Sequence, residues 1–197
     1  MQIPLHFSPT IGRIQEVQFI ASPNHDSYPN DEPPSLLIIH NISLPPFQYG
    51  GNGVVDLFTN QLNPDEHPYY ADIAALRVSA HFFVRRTGEL IQLVPTTHRA
   101  WHAGISCFEG RTSCNDFSIG IEMEGCDSEA FEAIQYLTLS HLIKALAPHF
   151  PFKAITGHQH VAPVRKTDPG PCFDWSRLAA NLAELNVMIP IKTPKNS

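Results

Sequence analysis

The chain has 197 residues, 43% hydrophobic and 16% charged, with a formal net charge of −6 and eleven histidines. That composition suits a compact core and excludes a disordered polymer, and no apolar run reaches the roughly 20 residues that span a bilayer. The acidic balance, with no block of lysine or arginine, argues against nucleic acid as a partner.

Four cysteines without a C-x-x-C pair read as reduced thiols. The opening "MQIPLHFSPTIGRIQEV" lacks the basic and apolar regions of a secretory leader, so the expected setting is the cytoplasm. Residues 1–34, rich in proline, asparagine and serine, read as an irregular arm over the surface. "SLLIIH" (35–40) is a continuous apolar run, the pattern of a buried central strand, and it stops at His40. The segment "QYGGNGVVDLFTNQLNPDEHPYYA" reads as a long loop with one helical turn near 54–58, of the length that usually walls a cleft. "HFFVRRTGELIQLVP" predicts a hairpin about Thr87-Gly88.

"FSIGIEMEG" predicts a strand with Ile119, Ile121 and Met123 on one face and Glu122 and Glu124 on the other. Ser128 has the chemistry of a helix cap, and Leu139, Leu142, Ile143 and Leu146 keep helical spacing up to Pro148. "KAITGH" is a short strand ending at His158, and a last helix from about Asp174 carries Leu178, Leu182 and Leu185. The expected architecture is a single α/β domain over 1–197. It has a central mixed sheet flanked by helices, a core over about 35–186 and a short C-terminal tail. Nothing in the chain demands more than a monomer.

His40 and His158 each follow a strand-like run, where α/β folds place their sites. Asp168 lies ten residues beyond His158, in "RKTDPGP", where prolines reduce the freedom lost on ordering. Two imidazoles and one carboxylate are the ligand set of a catalytic Zn2+ with a position left for water. His98 and His102 share i, i+4 spacing but lack the acid of H-E-x-x-H and rank lower. A strand carboxylate, Glu122 or Glu124, suits the general base, and alternation does not choose between them. Lys166 suits stabilisation of an oxyanion.

"LLIIHNISLPP", "VSAHFFVRR", "RAWHAG", "CNDFSIGIEMEG" and "TGH…VAPVRKTDPGPCFDW", in this order, resemble the zinc N-acetylmuramoyl-L-alanine amidases of the AmpD type, from about residue 14 to 186. The resemblance implies zinc on His40, His158 and Asp168, Glu122 as the base and Lys166 at the transition state. It places Asn41, Arg77, Trp101 and His102 along the cleft for a small muropeptide. Arg77 would meet peptide carboxylates and Trp101 would pack on the sugar. Members of that family carry an arginine just before the C-N-D-F run. This chain has Ser113 there, with Arg111 two places earlier as the available cation. The implied reaction cuts the amide between (1,6-anhydro-)N-acetylmuramic acid and L-alanine in cell-wall recycling. The rival readings are a peptidoglycan sensor that does not cut and a lytic amidase acting on polymeric wall.

Overall fold

The computed structural model describes residues 4–29 and 32–190. Residues 191–197 of the expected C-terminal tail, and 1–3 and 30–31 of the expected arm, lie outside that range. The central sheet has six strands: β1 (Gln18–Phe19), β2 (Leu36–Ile42), β3 (Phe82–Val84), β4 (Leu90–Gln92), β5 (Ser118–Glu124) and β6 (Ala154–Gly157). They lie in the order β6-β2-β5-β3-β4-β1. Every neighbouring pair is parallel except the β3–β4 hairpin. The sheet is therefore mixed, and its turn falls at Gly88, whose φ of 84° favours glycine.

The two faces of β2 and β5 have different work. Leu37 and Ile39 with Ile119, Ile121 and Met123 face α3 (Ala133–Leu146) and α5 (Trp175–Asn181), whose Leu139, Leu142, Ile143, Leu146 and Leu178 complete that core layer. Full burial of each such side chain contributes roughly 1.5–3 kcal/mol. Because side chains alternate along a strand, His40, Ser118, Gly120, Glu122 and Glu124 all point to the opposite face. Both Glu122 and Glu124 are buried, so β5 is covered on both sides rather than half solvated.

The segment after His40 folds more than its composition suggests. It holds α1 (Gly53–Phe58) and also α2 (Pro68–Ile73), which opens with Pro68 and a cap from His67, whose Nδ1 accepts from the Tyr69 N–H at 3.1 Å. Val54, Leu57, Phe58 and Tyr70 pack onto Phe83, Ile91 and Leu93 of the sheet. A second departure concerns α3, which starts at Ala133 and not at Ser128. The Glu132 N–H donates to Gln135 Oε1 (3.0 Å) at the helix start, whereas the Ser128 hydroxyl lies against Cys126 Sγ (3.4 Å).

The N-terminal arm is also less irregular than expected. Gln18–Phe19 extends the sheet as its edge strand, and Phe7–Ser8 pairs with Arg13–Ile14. The buried Gln92 side chain pins this segment, accepting from the Ile14 N–H (3.0 Å) and donating to Gly12 O (2.8 Å). His158 is the first residue of a short helix, α4 (His158–Val161), one step beyond the end of β6. Helix α5 ends at Asn181, so Leu185 lies past it. No helix among the described residues is long and apolar enough to cross a membrane.

Candidate metal centre and catalytic cleft

β2 and β6 are neighbours, so the residues at their C-terminal ends arrive side by side. His40 comes from β2 and His158 from the first turn of α4. Asp168 comes from the following loop, which is tied down at three points. The Gln159 N–H donates to Asp168 O (2.8 Å), Asn41 Nδ2 donates to Pro169 O (3.0 Å), and Gly170 sits at φ 82° against Asp127. A Cβ at Gly170 would lie 2.6 Å from Asp127 Oδ1, which leaves glycine there. The lysine-aspartate-proline run is therefore a clamped carboxylate rather than a surface turn.

His40 Nδ1, His158 Nδ1 and Asp168 Oδ2 lie 3.0 Å from one another in all three pairs. Among the described residues this is the one His/Cys/Asp/Glu group arranged to hold a metal ion. The donor chemistry fits a cation. His158 Nε2 lies 3.0 Å from Ala103 O, which can only accept, so Nε2 carries the ring proton and Nδ1 keeps its lone pair. Burial pushes the His40 imidazole down to about 4, outweighing the raising effect of Asp168, so that ring is neutral near pH 7. Imidazole lone pairs and a carboxylate oxygen at 3.0 Å repel one another unless something positive sits among them. A dication bound by nitrogen and oxygen donors fits that arrangement.

These groups open into a cleft of about 740 Å³, whose walls include Leu57, Phe58, Tyr69, Ile73 and Leu76 of the long segment after β2. Glu122, the register partner of His40 on β5, reaches the same cleft. It is 8% exposed, and its Oε2 is buried with no hydrogen-bond partner among the described residues. Burial, and then the Asp168 charge, raise its carboxyl well above the ordinary carboxylate range, with Lys166 offsetting part of the shift. Lys166 lines the same cleft. Glu124, by contrast, is turned into the scaffold, accepting from the Gly50 N–H (2.6 Å) and the Arg86 N–H (2.8 Å).

The remaining expected residues divide. Asn41, Trp101 and His102 line the cleft; Arg77 and Arg111 do not. Asn41 spends its amide nitrogen on Asp127 Oδ1 (2.7 Å) and Pro169 O, so it holds the Asp168 loop. Both ring nitrogens of His102 are engaged, Nδ1 with His40 Nε2 (3.0 Å) and Nε2 with Ser118 Oγ (3.2 Å). The Arg77 guanidinium turns back onto Ala74 O and Leu76 O. Arg111 stacks over Phe117 at 4.1 Å and pairs with Glu32 at 3.4 Å, a position set by the short Cys107–Phe108/Arg111–Thr112 hairpin.

Three further residues support the site. Arg165 donates to Ala103 O (2.8 Å) and Ile105 O (2.9 Å), Asn115 Oδ1 accepts from the His102 and Ala103 N–H groups, and Ser118 meets His102. Each acts through a backbone group or another side chain, so spacing along the chain carries no sign of it.

The N-acetylmuramoyl-L-alanine amidase family matches residues 30–171. The chain is 51% identical over 177 residues to the 1,6-anhydro-N-acetylmuramyl-L-alanine amidase AmpD of Salmonella typhimurium (strain SL1344), covering 89% of this chain and 95% of that protein. The crystal structure of a selenomethionine AmpD derivative is similar, with a TM-score of 0.84 and 51% identity over 86% of this chain and 96% of that one. The N-acetylmuramyl-L-alanine amidase AmiD from E. coli, solved with the substrate anhydro-N-acetylmuramic acid-L-Ala-D-gamma-Glu-L-Lys, matches with a TM-score of 0.56 and 30% identity over 79% of this chain and 60% of that one. With sequence and fold agreeing over most of its length, the chain belongs to the N-acetylmuramoyl-L-alanine amidase family.

Proposed function

We propose that this protein is a zinc amidohydrolase that cuts the amide between the lactyl group of (1,6-anhydro-)N-acetylmuramic acid and L-alanine in small muropeptides. Its setting is cytoplasmic wall recycling, and it acts as a monomer. The observation that carries the reading is the convergence, in a single cleft, of three metal-type donors with a buried carboxylate whose Oε2 has no partner among the described residues. Relatives named AmpD support the anhydro-muropeptide as substrate.

His40, His158 and Asp168 hold the ion, and zinc bound there supplies Lewis acidity that acidifies water and polarises a carbonyl. Glu122 takes the proton of the attacking water and returns it to the departing L-alanine amine. A carboxyl with a raised pKa suits both directions of that transfer. Lys166 places a cation beside the carbonyl oxygen as negative charge develops. At the mouth, Trp101 and the exposed Phe47 and Tyr69 offer apolar surface for the sugar ring. A binding-only sensor would have no use for an unpartnered carboxylate beside the ligands.

Metal analysis tests the reading when paired with release of L-Ala-peptides. The wild type should carry zinc and lose activity on chelation, and Asp168→Ala should lose both metal and activity. Purified anhydro-muropeptides should be cut faster than intact sacculi. Full activity after exhaustive chelation overturns the zinc mechanism, and faster cleavage of sacculi overturns the recycling role.

A further inference from the structure

The resemblance sets His102 against substrate, but its ring has no nitrogen left for one. Ser118 Oγ donates to Cys114 O at 2.6 Å, so the hydroxyl meets His102 Nε2 as an acceptor. His102 Nε2 therefore carries the ring proton, and Nδ1 holds a lone pair. That lone pair faces His40 Nε2 at 3.0 Å, so His40 is the donor. A neutral His40 that donates from Nε2 must present its lone pair at Nδ1, the atom that faces His158 and Asp168. The two rings cross at 84°, with centroids 5.1 Å apart.

The seat of His102 is built into β5. A Cβ on Gly120 would lie 2.4 Å from His102 Cγ, so the ring occupies space that only glycine leaves open. The next residue does the same service for the other imidazole, since Ala103 O accepts from His158 Nε2 and from Arg165 Nη2. Asn115 Oδ1 accepts from both backbone N–H groups of this pair, at 3.2 and 2.8 Å. Residues 102 and 103 thus orient the two nitrogen ligands from one pinned dipeptide.

We propose that His102 is a positioning residue, which fixes the tautomer and ring plane of His40 through a relay that ends on Ser118 and the Cys114 carbonyl. A carboxylate in this place would add negative charge behind the ligand. A neutral imidazole does not, so Asp168 remains the one anionic ligand of the three and a bound cation keeps more of its Lewis acidity. This inference rests on the reading of His40, His158 and Asp168 as the zinc ligands.

The test compares His102→Ala and His102→Asn in the full chain. Asn places Oδ1 where the imidazole has Nδ1 and can accept from His40. Three quantities are measured: zinc affinity by chelator competition, the visible absorption of the cobalt-substituted protein, and the His40 tautomer by 15N NMR of the metal-free protein. His102→Ala should weaken zinc about 10–100-fold, alter the cobalt spectrum, and convert His40 from an Nε2–H ring to a mixture of tautomers. His102→Asn should recover most of the affinity and the single tautomer. Unchanged affinity and tautomer in His102→Ala, or an Asn variant no better than Ala, overturns the inference. If the wild type takes up no zinc, the metal mechanism fails, and the tautomer measurement still decides the relay.

Discussion

Glu122 and Glu124 leave the same face of β5 two residues apart and are both buried, yet their surroundings are opposite. Glu124 accepts from two backbone N–H groups, and its Oε1 lies 4.0 Å from Arg85 Nη1. Glu122 has an oxygen without a partner among the described residues, a nearby carboxylate in Asp168, and a place on the cleft wall. Buried polar groups are nearly always satisfied, so an exception that faces a cavity marks chemistry, while a satisfied one marks scaffold. Glu124 joins the Gly50 loop and the β3–β4 turn to the centre of the sheet. Glu122 is held ready for a proton.

The comparison can be broken most directly by isosteric amides. Glu122→Gln should lower kcat about 10²–10⁴-fold, the typical contribution of a general base, without lowering the melting temperature. Glu124→Gln should do the reverse. It weakens the charge-assisted bonds to the Gly50 and Arg86 N–H groups, costing about 1–3 kcal/mol in a denaturant melt, with turnover little changed in protein that remains folded. Equal losses of activity in both variants would erase the distinction.

Lys166 extends the contrast to charge on the cleft side. Lys166→Ala should lower kcat about 10²–10³-fold, as for loss of one oxyanion donor, with bound zinc unchanged by metal analysis. Loss of the metal in that variant would make Lys166 part of the scaffold.

The smallest effect is on the pH dependence of stability. The folded-state pKa of Glu122 is raised above its unfolded value, so its burial carries no ionisation penalty below the unfolded pKa and becomes increasingly destabilising as pH rises through the folded one. In metal-free protein, Glu122→Gln should therefore raise the melting temperature near neutral pH, and the gain should vanish toward pH ~4. A gain of the same size at both pH values would mean that Glu122 is not desolvated as described.

How much of this could be read in advance depended on whether the signal was local. "SLLIIH" announced β2 because a strand buried on both faces needs a continuous apolar run, and the hairpin announced itself through Thr87-Gly88. Ser128 has the chemistry of a cap, yet α3 opens at Glu132. The edge strand Gln18–Phe19 is too short to show a period, and Gln92 holds the neighbouring arm residues by a contact 78 residues away. Arg111 lies close in sequence to the C-N-D-F run, yet its hairpin turns it onto Phe117 and Glu32.

By itself, the sequence determined the mixed α/β layering and a short list of residues able to bind a metal or move a proton. Both follow from hydrophobic periodicity and side-chain chemistry, which are properties of the chain as written. Only the tertiary structure decided which of two equivalent glutamates meets the cleft, and that His102 faces a ligand rather than open space. Those outcomes depend on hydrogen-bond partners brought in from distant segments, Gly50 and Arg86 for Glu124 and Ser118 with Gly120 for His102. No local pattern encodes such partners, because they become neighbours only when the strands take their order in the sheet.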